Sequence, residues 1–260
     1  MKNIFLKIFV FITYLAMVVI NSLANIIPIN NVNTGQVSDS YPNLFAPAGL
    51  TFSIWGLIYL LLAAYTLYQF GFFQKDKGLS NNKLFKKIGI YFSITSTLNI
   101  FWIFAWHYNF ILISVLLIIT ILFFLIKITD ILGKEKFSLK ENLFIKTPFS
   151  IYFGWITIAV IANITTFLVS INWNKFGISE QIWTILILLI GAIIGILRIL
   201  KDRNIPYGLV LIWAYLGILI KHTSPDKFAS QYQGIITTLI ICIILFLVTE
   251  FSILFKKENN

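Results

Sequence analysis

The fold is decided by segments such as residues 109–131, which read NFILISVLLIITILFFLIKITDI. Apart from a lysine and an aspartate close to its end, this stretch is almost wholly apolar, and it is long enough to cross a bilayer as one helix. Comparable apolar stretches recur along the whole chain. We predict eight membrane-spanning helices, at residues 4–25, 50–73, 88–106, 109–131, 149–171, 180–198, 205–221 and 233–255.

The composition of the chain agrees with a membrane protein. Hydrophobic residues make up 58% of the 260 residues and charged residues only 12%, whereas a soluble domain carries about 25% charged residues. Lipid offers the backbone no hydrogen-bond partner, so a spanning segment has to be helical or part of a closed barrel. The short alternating segments of a membrane barrel are absent from the sequence. The sequence therefore predicts an all-α integral membrane protein, a helical bundle of about eight transmembrane helices.

The distribution of basic residues predicts the orientation. With the N-terminus in the cytoplasm, 17 of the 20 lysines and arginines fall on the cytoplasmic side and only Lys175, Lys221 and Lys227 fall outside. Residues 1–25 also resemble a secretory signal peptide, but its removal would leave an odd number of helices, so we predict that it is retained. Both termini are then cytoplasmic. The net charge of +10 suits a bilayer surface with anionic headgroups, and no nucleic-acid partner is expected.

Several function classes are disfavoured by what the sequence lacks. No aspartate or glutamate lies at the centre of a predicted helix, and Glu250 lies near a cytoplasmic helix end, where we expect it to reach water. A proton-coupled pump is therefore not expected. The sequence contains no hydrolase, nucleotide-binding or metal-ligand motif, and two histidines and one cysteine argue against a metal site. No catalytic residue is predicted, and Cys242 is expected to face lipid or to fill packing space.

Aromatic and amide side chains recur at helical spacing on three predicted helices. Such stripes are formed by Trp55 and Tyr59 on the second helix, by Asn99, Trp102 and Trp106 on the third, and by Trp155 and Asn163 on the fifth. An amide inside the bilayer needs a partner, either on another helix or on a ligand. The stripes can therefore line a binding site or only pack the bundle. Trp106 lies near a predicted helix end, where we expect it in an interfacial aromatic belt.

These stripes carry a resemblance to a known family. Residues 47–59, PAGLTFSIWGLIY, resemble the second-helix signature of the TspO/MBR family, the tryptophan-rich sensory proteins related to the mitochondrial translocator protein. Asn99 and Trp102 are similar to the Asn-x-x-Trp of the family's third helix. Trp155 and Asn163 are similar to the pair on its fifth helix, with the same separation.

The resemblance covers the first five predicted helices, which correspond to the family's whole five-helix fold. We therefore expect a TspO-like five-helix bundle at residues 1–175 and three additional transmembrane helices at residues 176–260. Gly49 stands where the family usually has a second tryptophan, and the tryptophan that usually follows Asn163 is missing. These departures make this chain a divergent branch with a C-terminal extension.

The resemblance implies a mostly apolar, aromatic pocket that binds a flat hydrophobic molecule such as a porphyrin or another tetrapyrrole. The residues that it assigns to this pocket are Pro47, Trp55, Tyr59, Asn99, Trp102, Trp155 and Asn163. No cofactor is required; porphyrin or haem enters only as a ligand, and His107 has an alternative role as an axial haem ligand. Family members often dimerise, and Gly191 and Gly195 form a GxxxG pattern that permits close helix packing, which leaves a homodimer open.

Four functions follow from these patterns, in order of preference. The first is a membrane protein that binds or senses a flat hydrophobic ligand, and the second is a carrier that transports such molecules. The third is a tetrapyrrole-degrading enzyme, and in the fourth the aromatic stripes merely pack the helices. The abundance of isoleucine, lysine and asparagine indicates an AT-rich bacterial genome, hence a multi-pass protein of the plasma membrane.

Overall fold

Eight long helices form the structure, a computed structural model that describes residues 4–74 and 82–258. The structure is 82% helical, without strands among the described residues. Two short helices, α2 (Thr34–Asp39) and α6 (Leu139–Glu141), lie in connections. The helices that can span a membrane are α1 (Ile4–Ile26), α3 (Ile54–Gln69), α4 (Asn82–His107), α5 (Ile111–Leu132), α7 (Thr147–Ser170), α8 (Glu180–Asp202), α9 (Ile205–Thr223) and α10 (Gln233–Glu258). The prediction of an all-α membrane bundle with eight spanning helices is confirmed.

The spanning helices form two sets. In the first, α1, α4, α5, α7 and α3 pack in a closed order, which we call the five-helix ring. In the second, α8, α9 and α10 pack against one another, and we call them the three-helix unit. The unit joins the ring mainly through α9, which packs along α7. Both sets contribute to one continuous buried core, and the predicted division at residue 175 stays a prediction.

The two ends of the bundle carry different features. One end holds α2 and the residues that lead into α3, and we call it the α2 end. The opposite end holds Arg198 near the end of α8, and we call it the Arg198 end. Five of the basic residues from which the orientation is predicted lie outside the described residues or side chains: Lys2, Lys75, Lys77, Lys256 and Lys257.

Close contact between α7 and α9 depends on a glycine. A Cβ atom added at Gly154 would lie 2.9 Å from the Tyr207 carbonyl oxygen and 2.9 Å from Val210 Cβ, which is closer than real Cβ atoms approach. One turn away, Asn204 Nδ2 donates a hydrogen bond of 2.9 Å to Ser150 Oγ. Steric fit and a buried polar contact therefore fix the register of α9 on α7.

Two spanning helices begin earlier than the sequence predicts. Helix α4 begins at Asn82 rather than at residue 88, because its first turn is amphipathic: Leu84 and Phe85 are buried while Lys83 is exposed. The charged residues that marked a predicted boundary thus lie on the polar face of a continuing helix.

The fifth span also extends further, from Leu139 to Ser170 instead of from residue 149. A π-helical turn, Asn142–Lys146, precedes α7, in which Pro148 is the second residue. Proline has no N–H to donate within a helix, and a π-helical turn is one way to continue the helix around that gap.

Glu250 is buried, so the expectation that it reaches water is wrong. Its side chain is 5% exposed, and neither carboxyl oxygen has a hydrogen-bond partner. The reason is its position on α10: Phe246 and Ile253, four residues before and three after it, are also buried, so this face points into the unit. The carboxyl group packs against Gly208 of α9, where a Cβ atom would overlap it. Cys242 lies on the same face and is fully buried, so it fills packing space.

The GxxxG pattern of α8 packs within the chain. A Cβ atom at Gly191 would lie 2.8 Å from the hydroxyl of Tyr215 on α9, and one at Gly195 would overlap Leu211 and approach Phe246. These glycines therefore bring α8 close to its neighbours in the three-helix unit. Dimerisation stays a prediction, and this pattern does not supply its surface.

Candidate ligand-binding site

Trp55 is the centre of an aromatic cluster inside the five-helix ring. Its ring is stacked on Tyr59 of the same helix, with centroids 5.5 Å apart and an interplanar angle of 20°. The rings of Tyr152, Trp155 and Trp102 surround it at 5.9, 6.2 and 6.3 Å. The structure thus brings together predicted site residues from α3, α4 and α7.

A small cavity, which we call the aromatic chamber, lies beside this cluster. Five of the predicted site residues line it: Pro47, Trp55, Trp102, Trp155 and Asn163. Its volume is about 40 Å³, little more than the ~30 Å³ that one molecule occupies in liquid water. In this conformation the chamber does not accept a planar ligand.

A larger cavity, which we call the cleft, lies between α1, α2 and α3 at the α2 end. Its volume is about 620 Å³, well within the ~300–1,000 Å³ of small-molecule sites. One wall is aromatic and contains Phe52, Trp55 and Tyr59, and the other walls carry amide and hydroxyl groups. Phe52 and Trp55 line both cavities, so their rings separate the cleft from the chamber.

Besides the Thr34 hydroxyl, two buried polar groups that line the cleft or the chamber have no partner. The indole N–H groups of Trp102 and Trp106 donate to Asn163 Oδ1 at 2.9 Å and to the Thr34 carbonyl at 3.1 Å. The indole nitrogen of Trp155 is equally buried but makes no hydrogen bond, and the same holds for the hydroxyl of Tyr59. Because buried polar groups are nearly always paired, these two groups are candidates for contact with a ligand.

The two predicted asparagines connect helices. Asn21 Nδ2 of α1 donates to Asn99 Oδ1 at 2.7 Å, and Asn99 Nδ2 lies 3.5 Å from the Tyr152 hydroxyl oxygen on α7. Asn163 accepts from Trp102 and donates to Ser114 Oγ of α5 at 2.9 Å. Asn99 lines neither the chamber nor the cleft, and a direct ligand contact for it stays a prediction.

Pro47 is positioned by α9. It belongs to the segment that leads into α3, and three contacts hold this segment to the three-helix unit. Ala48 N donates to the Gly217 carbonyl at 3.0 Å, Trp213 Nε1 donates to the Thr51 carbonyl at 3.0 Å, and His222 Nε2 lies 2.8 Å from the Leu44 carbonyl oxygen. The wall of the chamber that contains Pro47 is thus held in place by the additional helices.

Some residues of the site were missed or misplaced by sequence reasoning. Trp106 is not part of an interfacial belt: it is 4% exposed and stacks on Trp102 at 5.8 Å, because its four-residue spacing turns it to the same inner face. Tyr152 lies three residues before Trp155, and residues three or four apart share a helix face, so the sequence could have identified it as well. Helix α2 could not, because no periodicity distinguishes its six residues.

His107 does not fit the role of an axial haem ligand. Its ring is fully buried, with Nδ1 2.9 Å from the Ile103 carbonyl oxygen and Nε2 without a partner. It lines neither the chamber nor the cleft, so no space for a porphyrin adjoins it there. Within the described ranges no cluster of three or more histidine, cysteine or acidic residues is suited to a metal ion.

Comparison with known families gives a match over nearly the whole chain. A family model described as TSPO-like protein matches residues 7–252. The match includes the three-helix unit, which the sequence motifs did not cover. Searches of curated proteins and of solved structures gave no match. The aromatic cluster around Trp55 and the extent of the match lead to one conclusion: the chain belongs to the TSPO-like protein family.

Proposed function

We propose that this protein binds a flat hydrophobic molecule of the tetrapyrrole kind in the cleft, and that it acts as a membrane sensor of that molecule. The observation that supports this most directly is the position of Trp55. Its ring forms part of the cleft wall, is stacked on Tyr59, and closes the chamber behind it. A planar ligand that lies against this wall gains an aromatic stacking face.

The size and chemistry of the cleft suit such a ligand. A volume of about 620 Å³ holds a multi-ring molecule. Apolar contact comes from Phe52, Trp55 and Tyr59, while polar groups on α1 and α2 can orient the edge of the ligand. Pockets that combine an apolar wall with a few fixed polar groups are typical of small-molecule sites.

Deeper entry of the ligand requires movement of two side chains. Rotation of Phe52 and Trp55 would join the cleft to the chamber and expose the indole N–H of Trp155. That N–H and the Tyr59 hydroxyl would then find a partner in a carbonyl oxygen of the ligand. In this proposal Trp55 both contacts the ligand and responds to it.

With the orientation predicted from the basic residues, the cleft would lie at the outer side of the plasma membrane. Eight spanning helices keep the alternation on which that prediction rests. Both termini would then lie in the cytoplasm of a bacterial cell, beside anionic headgroups. The ligand would enter from the outside or from the outer leaflet.

A fluorescence titration tests the proposal. The detergent-purified protein is titrated with protoporphyrin IX and with its dimethyl ester, and quenching of tryptophan fluorescence is followed. We expect saturable quenching, weakened about ten-fold by Trp55→Ala because a stacking face is lost. Trp155→Phe keeps an aromatic ring but removes the unpaired N–H, and should weaken binding less, by about three-fold.

Trp173→Phe is the matched control, because Trp173 lines a different cavity near the start of α8. Its affinity should equal that of the unsubstituted protein. Absence of saturable quenching by both compounds would exclude the proposed function. Equal losses in Trp55→Ala and Trp173→Phe would place the ligand elsewhere.

Transport of the same kind of molecule is a second candidate. A further cavity of about 330 Å³ lies at the junction of the ring and the three-helix unit near the Arg198 end, lined in part by Phe153, Arg198 and Tyr207. Cavities toward both ends of a bundle are what an alternating path requires. Uptake of a bound fluorescent ligand into proteoliposomes, and its loss in Trp55→Ala, would support transport over sensing.

A further inference from the structure

The cleft is lined by an acidic residue although the chain as a whole is basic. The whole sequence carries 20 basic and 10 acidic residues. Among the described residues that line the cleft, however, none is basic, and Asp39 is the one with a formal charge. The remaining polar groups there are amides and hydroxyls, which have no charge. The one formally charged group that lines the cleft is therefore a carboxylate, in a protein whose net charge is positive.

Asp39 lies between the cleft and the three-helix unit. It is the last residue of α2, and its side chain is 51% exposed. Lys221 of α9 forms an ion pair with it, with 3.1 Å between Lys221 Nζ and Asp39 Oδ1. The lysine side chain is only 10% exposed and does not line the cleft. A molecule in the cleft can therefore contact the carboxylate directly, whereas the ammonium group lies on the other side of the ion pair, outside the cleft lining.

The aromatic wall of the cleft adds to this preference. The stacked rings of Trp55 and Tyr59 present electron-rich faces, and Phe52 lies beside them. Such faces attract cations, and proteins use aromatic rings to recognise organic ammonium groups. An anionic ligand would find no compensating positive charge among the described cleft residues.

We propose that the ligand of the cleft is a planar organic cation, whose ring lies on Trp55 and whose positive charge pairs with the carboxylate of Asp39. This inference rests on the proposed function and specifies its ligand class: a cationic or neutral ring system is preferred over a carboxylate-bearing one. It also assigns Lys221 as a positioning residue that competes with the ligand for Asp39.

Competition for Asp39 links the cleft to α9. A cation that pairs with Asp39 weakens the only ion pair that Lys221 makes in the described structure, and a buried unpaired lysine is costly. By thermodynamic reciprocity, removal of the lysine charge should strengthen binding of the cation. The structure therefore predicts opposite effects for the two members of one ion pair.

Three probes with the same ring system separate charge from shape: N-methylacridinium, acridine and acridine-9-carboxylate. Their dissociation constants are measured by tryptophan quenching with purified full-length protein. We expect N-methylacridinium to bind about five-fold tighter than acridine, the strength of a partly exposed ion pair. Acridine-9-carboxylate should bind weakest.

Variants then test the residue assignment. Asp39→Asn should bring the ratio of the cationic to the neutral dissociation constant close to one, whereas Lys221→Met should increase the preference for the cation. Asp226→Asn is the control, since Asp226 is an exposed acidic residue that does not line the cleft. The double variant Asp39→Asn/Lys221→Met removes both charges, leaves no buried unpaired lysine, and should also lose the preference.

The outcomes distinguish this inference from the proposed function. Saturable binding of all three probes without preference for the cation, or an unchanged preference in both Asp39→Asn variants, would overturn the inference alone. Failure of all three probes, and of both porphyrins, to bind saturably would overturn the proposed function together with the inference.

Discussion

The five-helix ring and the three-helix unit are held together in different ways. In the ring, buried polar side chains make hydrogen bonds from helix to helix, as in the contact of Asn21 with Asn99 and that of Asn163 with Ser114. In the unit, close contact depends on glycines such as Gly195, although the Tyr215 hydroxyl of α9 also donates a buried hydrogen bond of 2.7 Å to the Leu188 carbonyl of α8.

This difference matches the position of the site. Hydrogen bonds are directional, so the ring fixes the orientation of the aromatic side chains that line the chamber. Glycine contacts fix only distance, and the polar contacts of the unit to the ring side include one from the middle of α9, where Trp213 Nε1 donates to the Thr51 carbonyl. The ring therefore fixes the geometry of the candidate site, and α9 of the unit holds the segment that contains Pro47.

The largest expected effect concerns the close contact between α7 of the five-helix ring and α9 of the three-helix unit. Gly154→Ala places a methyl group against the Tyr207 carbonyl and Val210, and should destabilise the protein by about 2 kcal/mol, because the α9 backbone has to move. Unfolding in a denaturing detergent, followed by circular dichroism, measures the loss.

Gly56→Ala is the matched control on α3. A Cβ atom there meets nothing within 4 Å, and alanine favours the helix by up to about 1 kcal/mol over glycine. Equal destabilisation by both substitutions would mean that α7 and α9 are not in close contact.

A second change tests the hydrogen bonds of the ring. Asn163→Ala leaves the Trp102 indole N–H without its partner and removes the hydrogen bond that Ser114 Oγ accepts from α7, and should cost about 1.5 kcal/mol. Thr165→Ala on the same helix should cost less than about 0.5 kcal/mol, because its hydroxyl bonds only to its own helix, at the Ile161 carbonyl. If the two variants were equally stable, the asparagine would not join the helices.

The smallest expected effect concerns the ion pair between the ring and the unit. Arg198 Nη2 lies 2.6 Å from Asp130 Oδ1 of α5, but the aspartate is 38% exposed, so solvent weakens the pair. Asp130→Asn should cost about 0.5 kcal/mol at low salt, and less as the salt concentration rises. Glu180→Gln removes the looser pair with Lys175, at 4.0 Å, and should have no measurable effect. A salt-independent loss in Asp130→Asn would contradict a role for this pair.

Much of the fold could be predicted from the sequence, because membrane insertion depends on local composition. The eight apolar stretches correspond to the eight spanning helices. Spacing within each helix, together with the family resemblance, predicted that Trp55, Trp102 and Trp155 belong to one site, and their rings are neighbours in the structure. Helix ends were misplaced where an amphipathic turn continues past the apolar stretch, as at Asn82.

Contacts between distant parts of the chain could not be predicted in this way. Asp39 and Lys221 are 182 residues apart, and nothing in either neighbourhood indicates the other. The burial of Glu250 likewise depends on which face α10 turns to α9, and a single helix with apolar residues on all sides does not specify that face. Both features arise only when the three-helix unit packs on the ring.

Cys242 makes this protein convenient for distance measurements. It is the only cysteine of the chain, and its thiol is buried within the three-helix unit, out of reach of water-soluble labelling reagents. A pair of cysteines introduced on exposed positions would therefore carry spin labels without background from the native sequence. Labels on α2 and beyond the end of α9 would show whether the two separate when a ligand occupies the cleft.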